Sequence, residues 1–271
     1  MDYKYKVFLE IASDDLDASK LLYNKKKFPQ AVFFFEQSVE KTCKYLLINQ
    51  SILTVDQLNK KVRHNSIIVF KLYSEFIIES ISSLFDLTKG QNHSVNTKII
   101  TPSEIVRDLK SGISNFEDIS KGRYVELNQS AMDRHLHLLR QFSGNFDFTS
   151  KYSGFFNSDP QTLFDFFSNF IKLDENEKMI LQENLKNEKI KDELLKSIRN
   201  ALASTKKNAR IEQTLMVLAQ IFSSHSERTR YPDNELNENP KALYCDSNIL
   251  VKNLRSIYPY QENVLSYLKK N

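Results

Sequence analysis

Residues 31–41 read Ala31-Val32-Phe33-Phe34-Phe35-Glu36-Gln37-Ser38-Val39-Glu40-Lys41. As part of a helix from about Pro29 to Asn49, this stretch places Ala31, Phe34, Phe35, Ser38 and Leu46 on the buried side. Pro29 suits a first helical turn, because its missing N–H would have no partner there. Upstream, Phe8, Ile11, Ala12, Ala18 and Leu22 recur at steps of three, four or their multiples. They predict a first helix from Lys4 to about Asn24, with Asp15 inside its apolar stripe. The basic turn Lys25-Lys26-Lys27 joins the two helices.

Further along, a polar stretch from Ser51 to Lys61 precedes Ile67, Ile68, Phe70, Leu72, Phe76, Ile77, Ile81 and Leu84, which predict a third helix of about twenty residues. Lys89-Gly90-Gln91-Asn92 marks a loop. The region from Thr101 to about Leu195 reads as an inserted helical subdomain, with helix starts at Thr101-Pro102-Ser103-Glu104 and Ser158-Asp159-Pro160. Lys172 to Arg199 alternates charges around the sparse anchors Leu181, Leu185, Leu194 and Leu195, as a solvated helix or short hairpin does. Beyond Lys206-Lys207-Asn208, a helix from Ala209 to Ser223 is expected to bury Leu215, Leu218, Ala219 and Phe222. It stops before Arg228-Thr229-Arg230-Tyr231-Pro232-Asp233, where the proline disfavours α conformation at Tyr231. A last helix is expected over Ser247 to Lys269, with a break at Pro259.

Composition agrees with helices. Only 5 glycines and 6 prolines occur in 271 residues, which leaves few positions suited to tight hairpin turns and argues against an all-β fold. The formal charge of +4 is too small to steer a polyanion by itself, so local clusters must carry any such role. Lys25-Lys26-Lys27 and Lys60-Lys61-Val62-Arg63-His64 are the basic candidates. Cys43 and Cys245 lack nearby Cys or His partners for a zinc site and read as reduced thiols. The charged start and the lack of an apolar run of about 18 residues predict a cytoplasmic protein with no membrane span.

The first two helices carry a pattern that resembles the HEPN family. Asp15-Leu16 with Ala18 stands where the family has "Asp-Leu-x-x-Ala", one residue short, and Gln37, Glu40 and Lys41 fit "Gln-x-x-Glu-Lys". Arg63-His64-Asn65-Ser66 is similar to the family's His-Asp-Leu, with Asn65 in the acid's place, and Arg230-Tyr231-Pro232-Asp233 resembles a segment of one branch. The resemblance implies an all-α, antiparallel up-down bundle formed by residues 1–85 and 205–271, with 86–204 as a helical insertion. It also implies a role in RNA cleavage, nucleotide binding, or toxin–antitoxin and antiviral systems. A homodimer and a nucleotidyltransferase-like partner protein are expected on the same ground.

Ribonuclease members of the family resemble one another in an arginine followed after a short helical spacing by a histidine. Histidine can move the 2′-hydroxyl proton, and arginine can stabilise the charged phosphate. None of the five histidines has that spacing here. His225 with Arg228 and Arg230 gathers the same groups in reverse order, and Arg134-His135-Leu136-His137 forms a second, weaker cluster. Arg230 also has a structural reading, as a tie from a helix end to Asp15 or Glu40, with Tyr231 closing the bundle. There is no Gly-rich phosphate loop, no His-Glu-x-x-His helix and no Gly-x-Ser-x-Gly elbow, and no cofactor or metal is expected. Asp14, Asp15 and Asp17 read as surface acids favoured near a helix start. The expectation is a module that binds nucleotide, RNA or a protein partner through Arg63, His64, Arg228, Arg230 and Tyr231. The alternative is a metal-independent endoribonuclease using His225 with Arg228 or Arg230.

Overall fold

The computed structural model describes residues 5–62, 68–72, 75, 127–143, 175–225, 228–230 and 239–270. The fold is all-α, and no strand occurs among the described residues. The chain divides into two compact units, Met1–Phe142 with Gln213–Asn271, and Ser143–Glu212.

In the first unit, α1 (Val7–Asn24) and α2 (Phe28–Asn49) form a hairpin. Its antiparallel sense follows from the contacts: Tyr23 meets Phe28 edge-on, Ser19 Oγ donates to Ala31 O at 2.7 Å, and Lys41 pairs with Asp15 at 2.7 Å. The turn closes when Lys27 N–H donates back to Leu22 O and Lys26 N–H to Tyr23 O, both at 2.9 Å. That closure puts Lys26 at φ 55°, a left-handed position usually filled by glycine. The buried stripe of α1 is Leu9, Ala12, Leu16 and Ser19. Of the expected stripe only Ala12 is buried, and Ile11 is 41% exposed. Apolar residues occur on two sides of this helix, so periodicity alone does not choose the side that α2 covers. Along α2, Ala31, Phe35, Ser38 and Leu46 are buried as expected, whereas Phe34 is half-buried.

A short helix, α3 (Val55–Lys61), occupies the stretch read from sequence as polar connection. Its start is a capping box: Gln57 N–H donates to Thr54 Oγ1, and the Gln57 side chain accepts from Thr54 N–H. Residues 68–72 are helical, with Val69 and Phe70 buried, in agreement with the start of the expected third helix. Its continuation to Leu84, the loop at Lys89–Asn92 and the helix starts at Thr101 and Ser158 lie outside the described residues. Next comes α4 (Gln129–Ser143), capped by Asn128 Oδ1 on Ala131 N–H and burying Ala131, Met132, Leu136 and Leu139.

The helix expected to begin at Ala209 is the end of a much longer one, α6 (Glu188–Phe222). No glycine or proline interrupts those residues, and lysine is a good helix former, so the polar stretch Lys206-Lys207-Asn208 does not stop it. Leu215, Leu218, Ala219 and Phe222 are all buried. A 3₁₀ turn, Ser223–His225, follows, and later α7 (Pro240–Leu243), capped by Asn239.

The last helix, α8 (Ile249–Lys270), starts where Asn248 Oδ1 accepts from Leu250 and Val251 N–H. Pro259 does not break it. The residue is exposed, so the carbonyl it leaves without a donor can be met by water. From α8, Tyr258 reaches Ser19 Oγ at 3.0 Å and packs edge-on against Tyr23 and Phe35. Phe35 also meets Phe222 with ring centroids 4.4 Å apart, so α1, α2, α6 and α8 share one aromatic core.

The second unit includes α5 (Glu175–Lys186) and the first part of α6. Asn187 separates them, and its Oδ1 accepts from Lys189 and Ile190 N–H. Leu185 and Leu195 are buried there, while the charged residues Glu175, Lys186, Glu188 and Lys189 are exposed, as the alternating charges predict. Among the described residues no helix is long and apolar enough to cross a membrane.

Candidate functional site

On α2, Phe33, Glu36, Glu40 and Lys44 form one row at helical spacings of three and four, and Phe33, Gln37 and Lys41 form the adjacent row at spacings of four, so together they make one flank of the helix. Glu36 and Glu40 are 1% and 2% exposed. Gln37 bridges them, its Nε2 donating to Glu36 Oε2 at 2.8 Å and to Glu40 Oε2 at 3.1 Å. Lys44 Nζ meets Glu40 Oε1 at 2.5 Å. Lys41 Nζ meets Gln37 Oε1 at 3.1 Å and also holds Asp15 of α1.

Burial, and secondarily the Glu40 charge, push the Glu36 carboxyl up to about 8, against the opposing pull of the Gln37 bond, Lys41 and Arg230. Glu36 is therefore largely protonated at neutral pH, while Lys44 sits on the second carboxyl. The buried Glu36 Oε1 has no hydrogen-bond partner among the described residues.

Arg230 approaches this flank from the turn at 228–230. It is exposed, and its guanidinium lies 5.0 Å from the Phe33 ring centroid. Phe33 is half-buried and meets Phe34 edge-on with centroids 5.3 Å apart. A planar cation over an aromatic ring is a favourable stack. Asp15 pairs with Lys41 and Glu40 with Lys44.

His225 sits differently. It is 3% exposed, and its Nδ1 lies 2.6 Å from the Tyr244 hydroxyl, itself buried. Burial first, then the Arg228 charge, push the imidazole down to about 3, so the ring is neutral at physiological pH. Arg228 is half-buried, and Thr229 N–H donates to His225 O at 3.1 Å. The structure thus brings His225 and Arg228 together, with the ring turned into the protein. In the second histidine cluster, Arg134 and His137 are exposed, His135 is half-buried and Leu136 is buried, so neighbours on α4 point apart.

Arg63, His64 and Tyr231 lie outside the described residues. Lys25, Lys26, Lys27 and Lys60 are exposed. Cys43 is buried and Cys245 half-buried, both as free thiols, and burial raises the Cys43 thiol well above its usual range. Among the described residues no group of three or more His, Cys, Asp or Glu could hold a metal ion.

The family model for the HEPN domain matches part of the chain. Residues 5–88 are a HEPN match. That HEPN segment contains Asp15, Leu16, Gln37, Glu40, Lys41 and His64, the residues on which the resemblance rests, and Arg230 falls beyond it. No curated protein and no solved structure matches the chain. Gln37 and Glu40 stand out in the sequence through the HEPN-like pattern, whereas Phe33 and Glu36 do not. The triple phenylalanine was one available signal, since three consecutive aromatic residues on a helix cannot all face its core.

Proposed function

We propose that this protein is a HEPN helical module that binds RNA or a nucleotide at the Arg230–Phe33 flank of α2. The carrying observation is the exposed guanidinium stacked 5.0 Å from a half-exposed ring. A cation beside an aromatic face suits a phosphate and a base together, and such base stacking contributes roughly 1–3 kcal/mol per base. Arg63, His64, Arg228 and Tyr231 complete the proposed binding set. A homodimer, a nucleotidyltransferase-like partner and a place in a toxin–antitoxin or defence system belong to the same reading, on the HEPN match alone.

Binding is preferred to cleavage because His225 is buried. A general acid or base must reach the atom it serves. The test is to incubate the protein with labelled single-stranded RNA in EDTA and follow both retention and integrity of the RNA. Retained, intact RNA is expected. Cleavage that His225→Ala removes would instead establish the ribonuclease alternative with Arg228 or Arg230.

A further inference from the structure

The unoccupied hydrogen-bonding capacity of Glu36 lies one helical turn from the Arg230 platform. Phe33 and Glu36 are three residues apart on α2, so the ring under Arg230 and the buried carboxyl occupy one side of the helix. One carboxyl oxygen is held by Gln37 at 2.8 Å, and the other has no partner among the described residues. We propose that RNA binding at Arg230 is proton-linked through Glu36: the platform accepts a phosphate when Glu36 is neutral and resists it when Glu36 is ionised.

This inference rests on the proposed binding function and adds its regulation. The charges around Glu36 fix the direction. On α2 these are Glu40, matched by Lys44, and Lys41, which is shared with Asp15 of α1. The turn at 228–230 contributes Arg230, whose charge favours ionised Glu36. Toward α2 the 3₁₀ turn adds only neutral His225, beside Arg228, and the Cys43 thiol is itself held protonated. An ionised Glu36 draws Arg230 toward itself and repels an incoming phosphate. Conversely, a bound phosphate offsets Arg230 and strengthens the hold of Glu36 on its proton. The two effects are one linkage seen from either side.

The experiment uses the full chain and a fluorescein-labelled oligouridylate of about ten nucleotides, a length within single-strand site sizes. Its dissociation constant is measured at pH 7 and pH 9 for wild type and Glu36→Gln. With the Glu36 value near 8, wild type should weaken by up to about tenfold over that interval. Glu36→Gln should bind at both pH values with the affinity that wild type has at pH 7. Calorimetry of wild type in two buffers of different ionisation enthalpy gives a readout that needs no variant, and net proton uptake on binding near pH 8 is expected. RNA binding without pH dependence and without proton uptake overturns the linkage while leaving the binding function intact. No binding at either pH overturns the binding function itself.

Discussion

Gln261 of α8 donates one amide hydrogen to Thr42 Oγ1 at 2.9 Å and the other to Ser38 Oγ at 3.1 Å on α2, across 219 and 223 positions of sequence. All three side chains are buried, so this polar knot fixes how the last helix sits on the second. A purely apolar contact between α2 and α8 could slide by a turn, whereas these bonds form in one register. Gln261→Leu leaves two hydroxyls without that donor but also removes the unpartnered Gln261 Oε1. A loss of about 1–2 kcal/mol is expected, at the lower end for buried hydrogen bonds, and a urea midpoint at constant slope measures it.

Phe35 carries the core where Phe34 does not. Phe35 is fully buried against Phe222 and Tyr258, so Phe35→Ala should cost about 3–5 kcal/mol. Phe34 is only half-buried, and Phe34→Ala should cost less than half as much. Thermal unfolding of the two variants beside wild type reads the difference, and equal losses would contradict the packing described.

The dependence of stability on pH should have a flat top. His225 falls from 6.5 to about 3 on folding, so between those values the unfolded chain holds a proton that the folded one lacks, and stability is lost as pH falls. Glu36 rises from 4.5 to about 8, so between those values the folded chain holds the extra proton, and stability is lost as pH rises. The two slopes cancel between about 4.5 and 6.5, and each alone amounts to about 1.4 kcal/mol per pH unit. Urea unfolding across pH 3–9 should show this plateau. Glu36→Gln should abolish the alkaline decline and tilt the plateau upward with pH.

The α1–α2 turn contains a correctable strain. Lys26 adopts φ 55° without glycine's freedom, and its side chain is exposed. Lys26→Gly should raise stability by up to about 1 kcal/mol, the left-handed penalty less glycine's larger unfolded-state entropy. Lys25→Gly, one residue earlier at φ −87°, should lower it, and calorimetric midpoints separate the two.

Much of the fold was legible because amphipathic spacing is strong in the long helices. The faces of Ala31, Phe35 and Ser38 on α2, and of Leu215, Leu218, Ala219 and Phe222 on α6, follow directly from it. The misreadings have local causes. Ile11 repeats at helical spacing but lies on the side that α2 leaves uncovered. The α3 start was hidden in a polar stretch, although Thr54 and Gln57 carry the capping-box spacing. The site was harder to read, because Glu36 and Phe33 acquire their character from burial and from Arg230, which is nearly 200 positions away. Charged residues on a helix ordinarily read as solvent-facing, and only packing turns Glu36 into a buried acid.

The central claim is that Arg230, stacked on Phe33, holds the phosphate of a bound RNA. The most direct measurement is the fluorescence-anisotropy affinity for labelled single-stranded RNA at pH 7 of wild type, Arg230→Ala and Arg134→Ala. Arg134 is an exposed arginine of α4 and controls for the loss of one positive charge anywhere on the surface. Arg230→Ala should weaken binding by about tenfold or more, from the loss of a charge-assisted contact, while Arg134→Ala should stay close to wild type. Equal affinities for all three proteins, or equal losses in both variants, would contradict it.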